Sequence, residues 1–131
     1  MILRKYMAML GVGSAQIDLI LEKDTYRPGE IVKGNFIVKG GLIEQRLNRI
    51  DCDLMMCTEP NESKNEKLLD SITIYTTKVI ESATTNHIPF TFQLPQSIVS
   101  TCNPSYRFKS KLTFKQGIES VDHDEIYILE A

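Results

Sequence analysis

From residue 15 onward the chain alternates apolar and polar positions in short runs, and turn residues separate these runs. Alternation with a period of two is typical of β-strands that bury one face. In the runs AQIDLILEK and IVKGNFIVK the residues predicted to point inward are Ile17, Leu19, Leu21, Val32, Phe36 and Val38. Pro28 and Gly29 form a turn signal between the two runs, which are therefore predicted to be adjacent strands.

Five later runs continue this pattern: LNRIDCDLMMCT, LLDSITIYTTKVIES, HIPFTFQLP, YRFKSKLTFK and EIYILEA. The second alternates less cleanly, which indicates a bulge or an edge strand. The third contains Pro89, which cannot donate to a ladder and so indicates an edge position or a strand start. The polar stretch EPNESKNEK is predicted to be an exposed loop, and QGIESVDHD a turn.

No stretch between these runs carries a helical period, so βαβ units are excluded. The sequence therefore predicts an all-β, immunoglobulin-like sandwich of two sheets with about seven strands. A chain of 131 residues is long enough for one such core and too short for two full-sized domains. We expect a single β-sandwich domain over residues 1–131.

The first 13 residues differ from the rest of the chain. Apolar residues at helical spacing in residues 1–10 predict a short helix, which Gly11 and Gly13 would end as a glycine-containing linker. The apolar run is shorter than the core of a signal peptide. A helix this short must dock on something, so we expect it to pack on the protein's own body or a partner copy. A membrane-surface anchor is the alternative.

Charge and cysteine usage narrow the classes of function. The 15 basic and 17 acidic residues nearly balance, so nothing favours nucleic acid as a partner. The three cysteines are Cys52, Cys57 and Cys102, and an odd count argues against a secreted disulfide framework. We therefore expect a cytoplasmic protein. Cys52 and Cys57 lie in one run at an odd separation, so their side chains should point to opposite faces.

Catalytic and metal-binding candidates are few. His87 has no acidic neighbour in the sequence and is predicted to be a surface imidazole. Asp122, His123 and Asp124 cluster, with Glu125, before the last run. Such a cluster most simply shapes a turn, and the alternatives are a polar interaction inside the fold or a divalent cation. We predict no enzyme, no cofactor and no metal.

The best candidate for binding is a basic ladder. Arg107, Lys109, Lys111 and Lys115 recur at every second or fourth position, which would place all four on one exposed strand face. Such a face could bind an acidic partner, a phosphorylated tail or an anionic surface. The alternatives are a face neutralised by carboxylates on a neighbouring strand, or lysines that protect an edge strand from aggregation.

Several blocks of the sequence resemble the bacterial sporulation-control protein family, whose N-terminal part is arrestin-like. The blocks are the opening GVGSAQID, the turn L-E-K-D-x-x-x-P-G-E, the strand V-K-G-x-F-x-V-K-G-G, the strand I-P-F-x-F-Q-L-P and an acidic turn before the last strand. The resemblance extends from about Leu10 to Leu129. Members of that family are typically about twice as long as this chain.

The resemblance implies an arrestin-like β-sandwich in a regulatory, non-catalytic protein. Members are similar to scaffolds or adaptors that act in the control of sporulation and related cell-cycle or envelope events. We therefore expect a protein-interaction module with unidentified protein partners, and a homodimer that forms through an exposed sheet edge or the N-terminal helix. The alternative is a peripheral membrane or anionic-ligand binding protein that uses the N-terminal helix and the basic ladder.

Overall fold

A computed structural model describes residues 13–58, 66–99, 105–117 and 119–129. These residues form nine strands: β1 (Gln16–Leu21), β2 (Thr25–Tyr26), β3 (Ile31–Lys39), β4 (Gln45–Cys57), β5 (Glu66–Tyr75), β6 (Val79–Ile80), β7 (Thr85–Gln93), β8 (Ser105–Phe114) and β9 (Glu119–Ile128). Seven of them have six residues or more, as the sequence predicts. The predicted N-terminal helix lies outside the described residues.

The strands make two sheets. The smaller sheet has the order β1-β3-β7, and the larger has the order β2-β9-β8-β4-β5 with β6 also paired to β4. All pairs are antiparallel except β2 with β9. The all-β, two-sheet fold class is confirmed, and among the described residues no helix is long and apolar enough to cross a bilayer. That residues 1–131 form one domain stays a prediction.

The two runs that the sequence predicts as edge strands do lie at edges of the sheets. Strand β7, which contains Pro89, pairs only with β3 among the described strands, so proline does occupy an edge. Strand β5 is an edge strand of the larger sheet. Its pairing with β4 shifts in register between Leu54 and Met55. Both the bulge and the edge that the less regular alternation predicts are therefore present.

The core lies between the two sheets and is centred on phenylalanine rings. Phe90 and Phe92 of the smaller sheet contact Phe108 of the larger sheet, with ring centroids 5.6 and 5.1 Å apart and nearly perpendicular planes. The inward residues predicted for β1 and β3 are buried, apart from a partly buried Leu21. Edge-to-face contacts of this kind stabilise a core beyond the area they bury.

Candidate functional site

Strand β8, which carries most of the basic ladder, is a central strand of the larger sheet. It lies between β4 and β9, so the interpretation as an edge strand is wrong. Arg107, Lys109 and Lys111 alternate with buried residues and therefore share the outer face. Lys115 does not belong with them, because β8 ends at Phe114 and Lys115 begins a turn in which its N–H donates to the Arg46 carbonyl.

Carboxylates neutralise much of this outer face. Arg107 forms an ion pair with Glu66 at the start of β5. Lys111 Nζ lies 3.9 Å from a carboxylate oxygen of Glu119 on β9. The two basic side chains are only 28% and 34% exposed, so the ladder is not a bare cationic stripe. The structure favours the interpretation in which neighbouring strands supply the counter-charges, and partner binding by these residues stays a prediction.

A shallow cavity of about 250 Å³ opens on the same face. Its walls are Cys57, Ser105, Tyr106, Arg107, His123 and Glu125. Cys57 Sγ donates to a carboxylate oxygen of Glu66 at 3.8 Å. The pKa of His123 is lowered first by burial and then by the nearby charges of Arg107 and Lys109. The cavity walls therefore carry both signs of charge, and they favour no single class of ionic ligand.

Cys52 is in the core and Cys57 is on the outer face, as their odd separation predicts. Burial raises the pKa of the Cys52 thiol to about 12, although its contact with the Ser110 hydroxyl, 3.6 Å away, opposes part of that rise. A thiol with so little thiolate at neutral pH is a poor nucleophile. Cys102 lies outside the described residues.

We expect Cys52 to resist alkylation in the native protein, because its thiol is buried and stays protonated. Iodoacetamide at pH 8 should modify Cys52 only after the protein has been unfolded in guanidinium. Peptide mapping by mass spectrometry measures this directly. Labelling of Cys52 in the native protein at the rate of the unfolded chain would contradict the assignment.

The acidic segment before the chain's last apolar residues is a strand and not a turn. Residues 119–124 continue β9, so the turn interpretation of Asp122, His123 and Asp124 is wrong. Asp122 and Asp124 are partly buried on the inward side, whereas His123 is on the exposed side. This alternation separates the imidazole from both carboxyls. The signal was present in the sequence, because Asp122 and Asp124 are in phase with Ile126 and Ile128.

Asp122 makes the polar interaction inside the fold that was one of the alternatives. Its carboxylate oxygen Oδ2 accepts a hydrogen bond from the Leu19 N–H at 2.9 Å, and Leu19 belongs to the other sheet. Beside it, the Ile17 N–H donates to the Ser120 hydroxyl at 3.2 Å. Side chains of β9 therefore hold the edge of the smaller sheet.

Asp18, which the sequence placed only on a polar strand face, joins Asp122 and Asp124 in a carboxyl cluster. One oxygen from each of the three lies within 4.8 Å of the others. The pKa of Asp124 is raised to about 8, first by burial and then by its hydrogen bond with Asp122 and the charges of Asp122 and Asp18. Nothing else in the described part of the chain points to an ion here, and we assign no metal to this cluster.

Strand β5 forms one edge of the larger sheet. Among the described strands β5 is hydrogen-bonded only to β4. Its side chains include exposed apolar groups, with Leu68 53% and Tyr75 79% exposed. Ile72 and Ile74 are partly buried against the core.

His87 is exposed on β7, as predicted.

A family model described as SpoOM protein matches residues 3–130 of this chain. The chain belongs to the SpoOM protein family. This confirms the resemblance that the sequence blocks indicated. Sporulation-control protein spo0M from Bacillus subtilis (strain 168) is 32% identical over 130 residues, which are 95% of this chain and 50% of that protein.

A solved structure of a SpoOM protein agrees with this fold. The crystal structure of Spo0M from Bacillus subtilis matches with a TM-score of 0.78 and 34% identity, over 92% of this chain and 51% of that one. A DUF4466 family protein from Parabacteroides merdae, at 9% identity and a TM-score of 0.57 over 88% of this chain and 45% of its own, shares the fold alone. The chain spans about half the length of its SpoOM relatives.

Proposed function

We propose that this SpoOM chain is a cytoplasmic, non-catalytic regulator that acts as a scaffold or adaptor in sporulation or cell-cycle control. Support comes from its membership of the family and from its 32% identity to a protein named for sporulation control. A regulator of this kind needs a surface on which a partner chain can form specific contacts. The outer face of the larger sheet offers a largely neutralised set of charges, so strand edges are the better candidates.

The observation that carries the proposal is the free edge of β5. A strand with unpaired main-chain groups can accept a further strand from a partner protein, which gains main-chain hydrogen bonds. The segment from Ser71 to Tyr75 is rich in β-branched and aromatic residues, which suit a pleated surface. The competing edge, β7, has Pro89 near its middle, and proline lacks the N–H that a ladder requires.

The side chains of β5 indicate which pattern of apolar and polar residues a partner segment would need. Ile72 and Ile74 are only partly covered by the core, so an added strand would gain apolar burial on its inward side. On the outer face Thr73 donates to Asp51 Oδ1 at 2.8 Å, so this face combines a polar contact with the exposed ring of Tyr75. We therefore propose an extended partner segment with apolar residues at alternate positions and polar residues between them.

A lysine on β5 should block this binding. We expect Leu68→Lys to reduce the formation of heat-resistant spores about tenfold in a host strain that depends on this gene, because charge on an edge strand opposes strand addition. The matched control is Ile20→Lys on β1, since Ile20 is 51% exposed and Leu68 is 53% exposed. Counts of heat-resistant colonies measure the effect.

Two results would contradict the proposal at different levels. Normal sporulation in a strain that lacks the gene would reject the regulatory function itself. If the gene is required but both lysine variants sporulate normally, the β5 edge is not the binding surface. Thermal melting of both purified variants is the control for folding. We expect both variants to stay folded, because an exposed site usually tolerates such a change.

The other expected partners remain predictions. A homodimer could use the same β5 edge, and the N-terminal helix that was its alternative lies outside the described residues. For an anionic ligand or membrane surface, the pairing of Arg107 with Glu66 and of Lys111 with Glu119 offers no particular support.

A further inference from the structure

The chain from β1 to β2 runs alongside β9, and it is joined to β9 in two different ways. At the β2 end the joint is made by the main chain. The N–H groups of Tyr127 and Leu129 donate to the carbonyls of Asp24 and Tyr26, each at 2.8 Å. These are ordinary parallel ladder bonds, and they contain no group that titrates.

At the β1 end the joint is made by side chains of β9. The Ile17 N–H donates to the Ser120 hydroxyl at 3.2 Å, and the Leu19 N–H donates to Asp122 Oδ2 at 2.9 Å. We call this stretch, from Ile17–Ser120 to Leu19–Asp122, the seam. Because one of its two acceptors is a carboxylate, the strength of the seam depends on the charge around it.

The carboxyl cluster places charge of one sign on both sides of the seam. Asp18 belongs to β1, whereas Asp122 and Asp124 belong to β9. Three ionised carboxylates within 4.8 Å repel each other, and in this arrangement the repulsion pushes β1 away from β9. One proton held within the cluster reduces that repulsion. Asp124 Oδ2 is also buried without a hydrogen-bond partner among the described residues.

We propose that the seam is a pH-controlled clasp, which is closed while the carboxyl cluster holds a proton and loosens at its β1 end when that proton leaves. The main-chain bonds at the β2 end then act as the fixed end of the joint. This device concerns the smaller sheet's edge and goes beyond the proposed binding at β5.

The surrounding groups determine the direction of the pH dependence. Burial and Asp122 raise the pKa of Asp18, and Lys39 on β3 opposes this rise. Burial, Asp122 and Asp18 together raise the pKa of Asp124 from 3.8 to about 8, and burial is the largest of these causes. Cys52 on β4 also interacts with Asp124, but its thiol stays neutral with a pKa of about 12. His123 interacts with Asp122 from the exposed side, and burial lowers its pKa.

A carboxyl whose pKa is raised by folding stabilises the folded state fully below its unfolded pKa, which is 3.8 here. That contribution is lost as the pH rises through about 8. The clasp should therefore be closed in mildly acidic solution and looser in mildly alkaline solution. If all three carboxyls were already ionised in mildly acidic solution, their repulsion would not change with pH and the clasp would not loosen.

Amide hydrogen exchange of the full chain, followed by NMR and corrected for intrinsic rates, tests the clasp. Between pH 6 and pH 8.5 we expect the protection of Ile17 and Leu19 to fall about tenfold, because the β1 end opens locally. The protection of Tyr127 and Leu129 should stay constant, because carbonyls accept their hydrogen bonds. Equal loss at all four amides would overturn the proposal, since it would indicate global unfolding.

Asp124→Asn removes the titrating carboxyl and should abolish the fall at Leu19, whereas Asp18→Asn removes a smaller contribution and should only reduce that fall. The control is Asp70→Asn, since Asp70 is exposed on β5, outside the carboxyl cluster, and its carboxylate accepts from the neighbouring Ser71 N–H. The control variant should keep the full pH dependence. If the two cluster variants behave like the control, or if Leu19 protection is constant with pH in the natural chain, the proposal is wrong.

Discussion

Phe108→Ala should lower the free energy of unfolding by about 3–5 kcal/mol, which is the usual cost of removing a fully buried phenylalanine ring. The Phe108 side chain is 0% exposed and supplies the larger sheet's ring in contact with Phe90 and Phe92. Its removal would leave a cavity where the two sheets meet. Chemical denaturation in urea, followed by circular dichroism, measures the change.

The matched control is Val121→Ala on the neighbouring strand β9, because Val121 is 45% exposed. It should change the unfolding free energy by less than about 0.5 kcal/mol, as exposed substitutions usually do. A loss at Phe108 no greater than the loss at Val121 would contradict the aromatic contact between sheets as the centre of the core.

Gly34→Ala should lower the free energy of unfolding by about 3 kcal/mol, at the upper end of the usual cost of overpacking. A Cβ atom at Gly34 would lie 2.2 Å from the Ile20 carbonyl oxygen and 3.1 Å from the Leu21 Cα. Both are main-chain atoms of the paired strand β1, so they cannot rotate away as a side chain can. Strand β1 would have to move from β3.

Asn35→Ala is the control for this substitution, since Asn35 is the next residue of β3 and is exposed. Differential scanning calorimetry should show a clearly lower melting temperature for Gly34→Ala and almost no change for Asn35→Ala. Equal melting temperatures for the two variants would show that β1 is not held as closely against β3 as the structure indicates.

The same close approach explains part of the sequence block that resembles the SpoOM family. The block V-K-G-x-F-x-V-K-G-G contains Gly34, Gly40 and Gly41. A Cβ at Gly40 would lie 2.0 Å from the Glu81 carbonyl oxygen, and one at Gly41 would lie 1.9 Å from the Gly13 carbonyl oxygen. These glycines therefore mark places where another segment's main chain touches the strand, which a local pattern cannot show.

The residues whose structure differs from the prediction are those whose role depends on distant partners. The acidic residues of β9 were predicted to form a turn because Asp is frequent in turns. In the structure they extend the strand, and Asp122 binds Leu19, which is 103 positions away. Lys115 was placed in the ladder by spacing alone, whereas β8 stops one residue earlier.

The sequence alone predicts most of the strands and their buried faces, since a period of two is a local property of the chain. It also determined the family, and through Pro89 the edge position of β7. Only the tertiary structure decided which strands are neighbours. The order of the strands places β8 in the middle of the larger sheet, brings Glu66 to Arg107 and, among the described strands, leaves β5 paired on one side only.

The carboxyl cluster is the clearest case of what only the tertiary structure decides. Asp18 and Asp122 belong to different sheets, and nothing in the sequence shows that they meet. The pKa values of Asp18 and Asp124 depend on burial and on charges a few ångströms away. Both conditions arise only when the two sheets pack together, because folding brings β1 alongside β9.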